Sequence, residues 1–313
     1  MPRFVMIPAE PMAYAEMGRL MTRAAMRCLI AVLLAVGLLP CAARAQQAME
    51  PMAGLPAPEP TANLPAWRRL AVAAPAAEGR PVLVFIIDDM GLNRPQSDRA
   101  VALPGPLTLS WMPYARDLPE QVARGAAHGH ETMLHMPMEP LGRTNPGPHA
   151  LRTWLPPATN LAYLRAALDS VPGAVGLNQH EGSVASLSVP LMDLVMGELR
   201  ERGMAFVDSV TIAHSVALRR ALADDVPAVA RDVFLDNSPE PAAIRAQLAQ
   251  TEQIARRYGL AVAIGHPRAT TMDVLEAYLP KLAARGFVLW PVSAAIVARN
   301  PVMISGEPAA PPR

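Results

Sequence analysis

Pro81-Val82-Leu83-Val84-Phe85-Ile86-Ile87-Asp88-Asp89-Met90-Gly91 is the stretch from which the rest of the chain can be read. Its apolar, β-branched run predicts a strand over 82–87, and two carboxylates stand where that strand ends. Working outward, further strands are predicted over 107–111, 132–135, 174–177, 205–207, 228–235, 261–264 and 287–289. Segments of helical period fit between most of them, over 161–170, 191–202, 242–258 and 272–284. Asn237-Ser238-Pro239 caps the third helix and Gly259 ends it. Roughly seven or eight β–α repeats over about 220 residues favour a closed or nearly closed parallel barrel.

The length of 313 residues and a hydrophobic content of 51% suffice for a sizeable core, hence one domain with appendages. With 28 basic against 27 acidic residues the formal charge is +1, without the basic excess of a nucleic-acid binder. An aromatic content of 4% excludes a large wall of stacking rings for a long polymer.

Arg23 and Arg27 precede an apolar run over 28–39, and Ala43-Arg44-Ala45 supplies small residues at the positions a signal peptidase reads. Residues 1–45 therefore read as a signal peptide of a secreted or periplasmic protein, cut after Ala45. About 12 apolar residues fall short of the roughly 20 that span a bilayer, so no membrane span is expected after cleavage. Lipid attachment at Cys41 fits poorly because Pro40 precedes it. Glu10 and Glu16 are odd in a signal n-region, which makes Met21 an alternative start. Cleavage removes Cys28 and Cys41, excluding disulfides and cysteine nucleophiles and leaving His, Asp and Glu to hold any metal. Residues 46–80 carry six prolines and read as a tether, 81–298 as the barrel and 299–313 as a disordered tail. The long interruption at 137–157 reads as a lid or binding loop.

Ionisable residues cluster just where the strands end: Asp88 and Asp89, His135 and Glu139, Asn178 and His180, Asp208, Asp232 and Asp236, then His266. In a β/α barrel all those carboxyl ends meet at one mouth. Two imidazoles and a carboxylate around a divalent cation leave positions open for water and substrate. His135 is in phase with Met133 and Glu131, whereas His130 falls on the opposite face and reads as a satisfied histidine at the turn into the strand. His149 and His214 read as surface residues. Trp111 and Trp290 follow strands, which places them either at the mouth or in the core.

Ile86-Ile87-Asp88-Asp89-Met90-Gly91, His130-Glu131 with His135-Met136-Pro137-Met138-Glu139-Pro140, Gly176-Leu177-Asn178-Gln179-His180-Glu181-Gly182-Ser183, Phe206-Val207-Asp208-Ser209, Arg231-Asp232-Val233-Phe234-Leu235-Asp236 and Ile264-Gly265-His266-Pro267 together resemble the divergent polysaccharide deacetylases, relatives of the NodB-type carbohydrate esterases. The resemblance runs over about 81–297. It implies an α/β fold, a distorted seven-stranded parallel β/α barrel, with a divalent metal, often zinc, at its mouth. By position it implies Asp88 as general base, Asp89 as metal ligand and His266 as general acid; in the mechanism that follows, Asp232 or Asp236 is expected to orient the His266 ring. The His-x-x-x-His motif of those relatives is missing, and His135 and His180 are taken as the substitute ligands. Glu139, Asn178, Asp208 and Trp111 complete the set as substrate contacts.

Two functions follow as expectations. One is a secreted, metal-dependent deacetylase acting on a polysaccharide or glycan. The other is an inactive barrel that binds carbohydrate or serves as a scaffold in cell-wall assembly, a reading the missing motif favours. Metal content and acetate release separate them.

Overall fold

Side chains on a strand alternate between its two faces, and that period-2 pattern builds two cores here. The computed structural model describes residues 64–300. The expected signal peptide, the first part of the expected tether and the tail beyond 300 lie outside the described residues. In β1 (Val82–Met90), Val82, Val84 and Ile86 point into the barrel, where they meet Ala205, Val207, Val262 and Ile264. Leu83, Phe85 and Ile87 point outward, under helical residues such as Leu164, Met192, Leu248 and Met272.

The sheet continues with β2 (Thr108–Trp111), β3 (Glu131–Met138), β4 (Gly176–Glu181), β5 (Ala205–Asp208), β6 (Ala228–Ala230), β7 (Val233–Phe234), β8 (Leu260–Gly265) and β9 (Val288–Leu289). Their order is β6-β5-β4-β3-β2-β1-β8-β7, with β9 beside the first residues of β1, and every pairing is parallel. Among the described residues nine strands stand where seven were expected, for two local reasons. β9 is a two-residue addition at the lower end of β1, and the single strand expected over 228–235 is broken. At the break, Arg231 N donates to Asp208 O (2.9 Å) on β5 and Asp232 N to Val262 O (2.8 Å) on β8. Two residues thus stitch the two edges of the sheet into a distorted barrel.

The helices are α1 (Ala66–Arg69), α2 (Arg94–Ala102), α3 (Leu118–Ala127), α4 (Pro157–Ser170), α5 (Val189–Arg202), α6 (Ala217–Ala223), α7 (Pro241–Tyr258), α8 (Ala269–Tyr278) and α9 (Val292–Arg299). α7 begins at Pro241 behind Glu240, without the side-chain cap expected from Asn237-Ser238-Pro239. The helix expected over 272–284 stops at Tyr278, because Pro280 has no N–H to continue it, and two 3-10 turns follow.

The packed part of the chain begins earlier than Pro81. Trp67 of α1 is buried in the inner core beside Val292 and Ile296 of α9, and Val72 N donates to Glu131 Oε2 (3.4 Å). These pieces plug the lower end of the barrel and leave the carboxyl ends of the strands open. Among the described residues, no helix is long and apolar enough to cross a membrane.

Candidate metal centre

The inward phase of each strand runs out into a polar residue at the mouth. Val82, Val84 and Ile86 lead to Asp88; Glu131 and Met133 to His135; Gly176 and Asn178 to His180; Val262 and Ile264 to His266. Asp89 breaks the rule, since its neighbour Asp88 already faces inward and a regular strand would turn it out among the helices. The chain resolves this with a bulge. The register of β1 against β2 shifts between Ile87 and Met90, and Asp89 sits in the left-handed region at φ 55°. A bulge re-aims a side chain, and here both carboxylates line one cavity of about 650 Å³. Gly91 completes the turn at φ 97°, where a Cβ would meet the Ala115 Cβ at 2.5 Å.

On the wall of that cavity three donors converge. His180 Nδ1 lies 2.8 Å from Asp89 Oδ1 and 3.1 Å from His135 Nε2, which is itself 3.4 Å from Asp89 Oδ1. One atom from each of the three lies within 4.8 Å of the others. Asp89 Oδ1 is buried, and among the described residues its polar neighbours are the two rings, with no well-formed hydrogen bond to satisfy it, an expensive condition for a carboxylate oxygen. Two nitrogens and an oxygen aimed at one point, with an acceptor left over, fit a divalent cation of the open catalytic type. The charges agree. The facing rings of His135 and His180 overcome burial and hold Asp89 far below the ordinary carboxylate range. Burial works against a charged His135, but Asp88 and Asp89 outweigh it and raise its pKa to about 9. The cluster draws positive charge to itself.

Asn178 organises the centre from beneath. Its Nδ2 donates to Asp88 Oδ1 (2.8 Å), Asp88 Oδ2 (3.0 Å) and Ser209 Oγ (3.1 Å). That leaves its Oδ1 to accept from Ser110 Oγ (2.5 Å) and from His135 Nδ1 (2.9 Å). With Nδ1–H given to Asn178, Nε2 is the atom that His135 turns to the cluster, where a metal ion would take the place of its second proton. Burial, helped by the charge of Asp89, raises the Asp88 carboxyl against the opposing pull of His135 and His266.

The second ionisable pair belongs to β8 and the chain after β7. Asp236 is fully buried and accepts from His266 Nδ1 (2.8 Å), His266 N (2.9 Å) and Thr271 Oγ1 (2.8 Å). Burial disfavours the His266 cation, yet the Asp236 contact and the charges of Asp89 and Asp88 raise its pKa.

Several expected site residues do not take their expected roles. Asp232 does not orient His266; its carboxylate takes Val262 N (2.7 Å) and Arg299 (2.5 Å) at the barrel seam. Trp111 is 0% exposed in the outer core, because it shares the outward phase of Leu109. Trp290 lies toward the lower end, donating from Nε1 to Pro75 O (2.7 Å). Asp208 shares the outward phase of Phe206 and accepts from Gln179 (2.7 Å), Ser215 (2.8 Å) and the N–H groups of Val210 and Leu218. Glu139 is consumed by Thr153, taking both its N–H and hydroxyl at 2.6 Å, and so pins the 137–157 loop instead of meeting substrate. Asn178 is 0% exposed and acts through His135 and Asp88. Ser110, Ser209 and Thr271 were missed by sequence reading, although Ser110 and Ser209 could have been found from the inward phase of their strands. Arg231 and Arg268, which also line the cavity, carry no such signal.

The profile of the divergent polysaccharide deacetylase family matches residues 85–296, a span that includes all six of the residues just described as the two clusters and Asp88. The chain belongs to the divergent polysaccharide deacetylase family. Two curated proteins share the region. The uncharacterised protein YibQ of Escherichia coli strain K12 is 34% identical over 207 residues, 66% of this chain and 64% of that protein. The match thus spans just under two thirds of YibQ. An uncharacterised protein of Haemophilus influenzae is 32% identical over 200 residues, 64% of this chain and 71% of that one. Among solved structures, an uncharacterised protein of Agrobacterium tumefaciens C58 superposes with a TM-score of 0.72 at 26% identity, covering 75% of this chain and 96% of that one. The family's distorted α/β barrel is therefore shared well beyond this sequence.

Proposed function

We propose that this family member is a secreted, metal-dependent carbohydrate deacetylase that removes acyl groups, N-acetyl first among them, from an envelope or extracellular polysaccharide. The observation that carries this reading is the convergence of Asp89, His135 and His180 on one point of an open cavity that Asp88 and His266 also line. A divalent cation held by those three, zinc by the nitrogen and oxygen donor set, would supply Lewis acidity that polarises an acyl carbonyl and acidifies water. Asp88, raised by burial and oriented by Asn178, takes the proton of the attacking water. His266, held protonated by Asp236, hands its proton to the departing amine or hydroxyl. Asn178 fixes the ring of His135 and the carboxylate of Asp88 with one side chain, so ligand and base keep a constant relation.

The full-length protein supplied with zinc is expected to bind it and to release acetate from chitooligosaccharide or peptidoglycan fragments. Stoichiometric metal with no release from any acetylated glycan would replace the enzyme by a carbohydrate-binding or scaffold protein. Failure to bind metal would remove the reading altogether.

A further inference from the structure

The cavity holding the metal centre also receives two guanidinium groups that form no ion pair among the described residues, Arg231 and Arg268. Both are anchored by neutral carbonyls. Arg231 Nε donates to Ser209 O (2.7 Å) and a terminal nitrogen to Val210 O (2.8 Å), while Arg268 donates to Asp236 O (2.7 Å). The carboxylates nearby are committed elsewhere: Asp88 to Asn178, Asp89 to the two imidazoles, Asp208 to Gln179 and Ser215, and Asp232 to Arg299. For Arg231, burial outweighs the distant charges of Asp208, Asp88 and Asp232 and lowers its pKa, the mark of a cation short of neutralisation. A partly buried charge without a partner is costly, and the planar arginine fork is matched to carboxylate and phosphate.

Their position narrows the ligand. The Arg231 guanidinium lies 5.1 Å over the Phe234 ring, whose edge meets His266 at 5.4 Å between ring centroids. Arg268 is two residues beyond His266, its N–H donating to the His266 carbonyl (2.8 Å). Both cations therefore lie on the His266 side of the cavity, where the deacetylase reading puts the departing sugar. We infer that the substrate is an acidic glycan whose carboxylate or phosphate is held by Arg231 and Arg268, on or next to the acylated sugar. The sugar part of this inference rests on the deacetylase reading; the anion site itself is tested by binding, which needs no turnover.

The test is calorimetric titration of zinc-loaded, full-length Asp88→Asn protein with a tetrasaccharide of alternating N-acetylglucosamine and N-acetylmuramic acid. The same tetrasaccharide with its lactyl carboxylates methyl-esterified is the neutral control. N-acetylglucosamine 6-phosphate against N-acetylglucosamine forms a second pair. The free acid, the phosphate or both are expected to bind about tenfold more tightly than the neutral partner. Which pair shows the gain tells whether the anion is a carboxylate or a phosphate. Arg268→Gln is expected to erase most of that gain while the neutral ligands keep their affinity. Arg231→Lys, which retains a donor for the Ser209 or Val210 carbonyl, should reduce the gain in part. Equal binding of charged and neutral partners, no binding of either, or an equal loss for both in Arg268→Gln would overturn the inference. Acid preference without acetate release from any glycan by the wild type would remove the deacetylase reading and leave the anion site standing; acetate release without acid preference would do the reverse.

Discussion

The two ends of β3 bury similar groups and treat them in opposite ways. At the lower end, His130 accepts from Leu107 N (3.2 Å) through Nδ1 and donates from Nε2 to Val101 O (3.0 Å), so both ring nitrogens are spent. Glu131 beside it takes Ser293 N (3.0 Å), Thr108 Oγ1 (3.2 Å) and Val72 N (3.4 Å), tying α9 and the segment after α1 to the barrel. At the upper end, His135 is just as buried, but only Nδ1 goes to a supporting group, Asn178; Nε2 meets other potential ligands alone, His180 Nδ1 at 3.1 Å and Asp89 Oδ1 at 3.4 Å. Burial is the same at both ends; satisfaction is not. A buried polar group that the fold has fully paired holds the structure together, whereas one whose remaining contacts are to other potential ligands at a cavity is available for a metal ion.

The sharpest way to break this contrast is at Asp88. Asp88→Asn keeps its size and is expected to lower kcat by roughly 10²–10⁴-fold, the usual worth of a general base, with metal content unchanged by elemental analysis. Loss of metal along with activity would move Asp88 among the ligands. Next in size is the response to zinc: a ligand in large excess over its Kd stabilises by ~3–4 kcal/mol, seen as a rise in Tm. Wild type and Glu131→Ala should both show that rise, and His135→Asn should not; a rise in His135→Asn would place the metal elsewhere. Without added zinc the order reverses. Glu131→Ala orphans buried donors at the lower end and should cost ~1–3 kcal/mol in denaturant unfolding, leaving the pH profile of the folded enzyme as it was.

The smallest effect concerns His266. Its raised pKa means that the ring's contribution to stability is complete below the unfolded histidine value and is lost as pH rises through the folded one. Asp236, which its contacts with His266 lower despite burial, contributes above the unfolded carboxylate value and loses that contribution as pH falls through its own folded pKa. The pair is intact only between these limits. In the proposed mechanism the protonated ring is the donor, so activity should fall as pH rises through the His266 pKa. Asp236→Asn should move that alkaline limb to lower pH, read from kcat/KM against pH; Asp232→Asn, at the seam, should not move it. A limb that stays in place in Asp236→Asn would separate His266 from proton transfer.

Much of the fold was legible because the strand signal is local. The run from Val82 to Ile87 alternates inner-core and outer-core residues, and the strands from 107–111 to 261–264 lie within a few residues of their expected positions. The break in 228–235 was not legible, since it depends on hydrogen bonds to β5 and β8 that are far off in sequence. The same division runs through the site. That Asp88, His135, His180 and His266 gather at one mouth follows from strand phase, yet phase was not applied to Trp111 and Asp208, which it would have turned outward. Asp232 and Asp236 were equivalent in sequence, and only the path of the chain after β7 brings Asp236 under His266.

The sequence by itself determined the parallel α/β plan and the polar strand ends, because period-2 patterning needs no knowledge of neighbours in space. Tertiary structure alone decided that Asp89 joins Asp88 in the cavity, that Asn178 serves His135 and Asp88 together, and that Arg231 and Arg268 form no ion pair among the described residues. Each of these depends on a backbone bulge or on a partner more than 20 residues away, as the separations of 21 and 22 at Arg231 show, and such non-local geometry leaves no periodic trace in the chain.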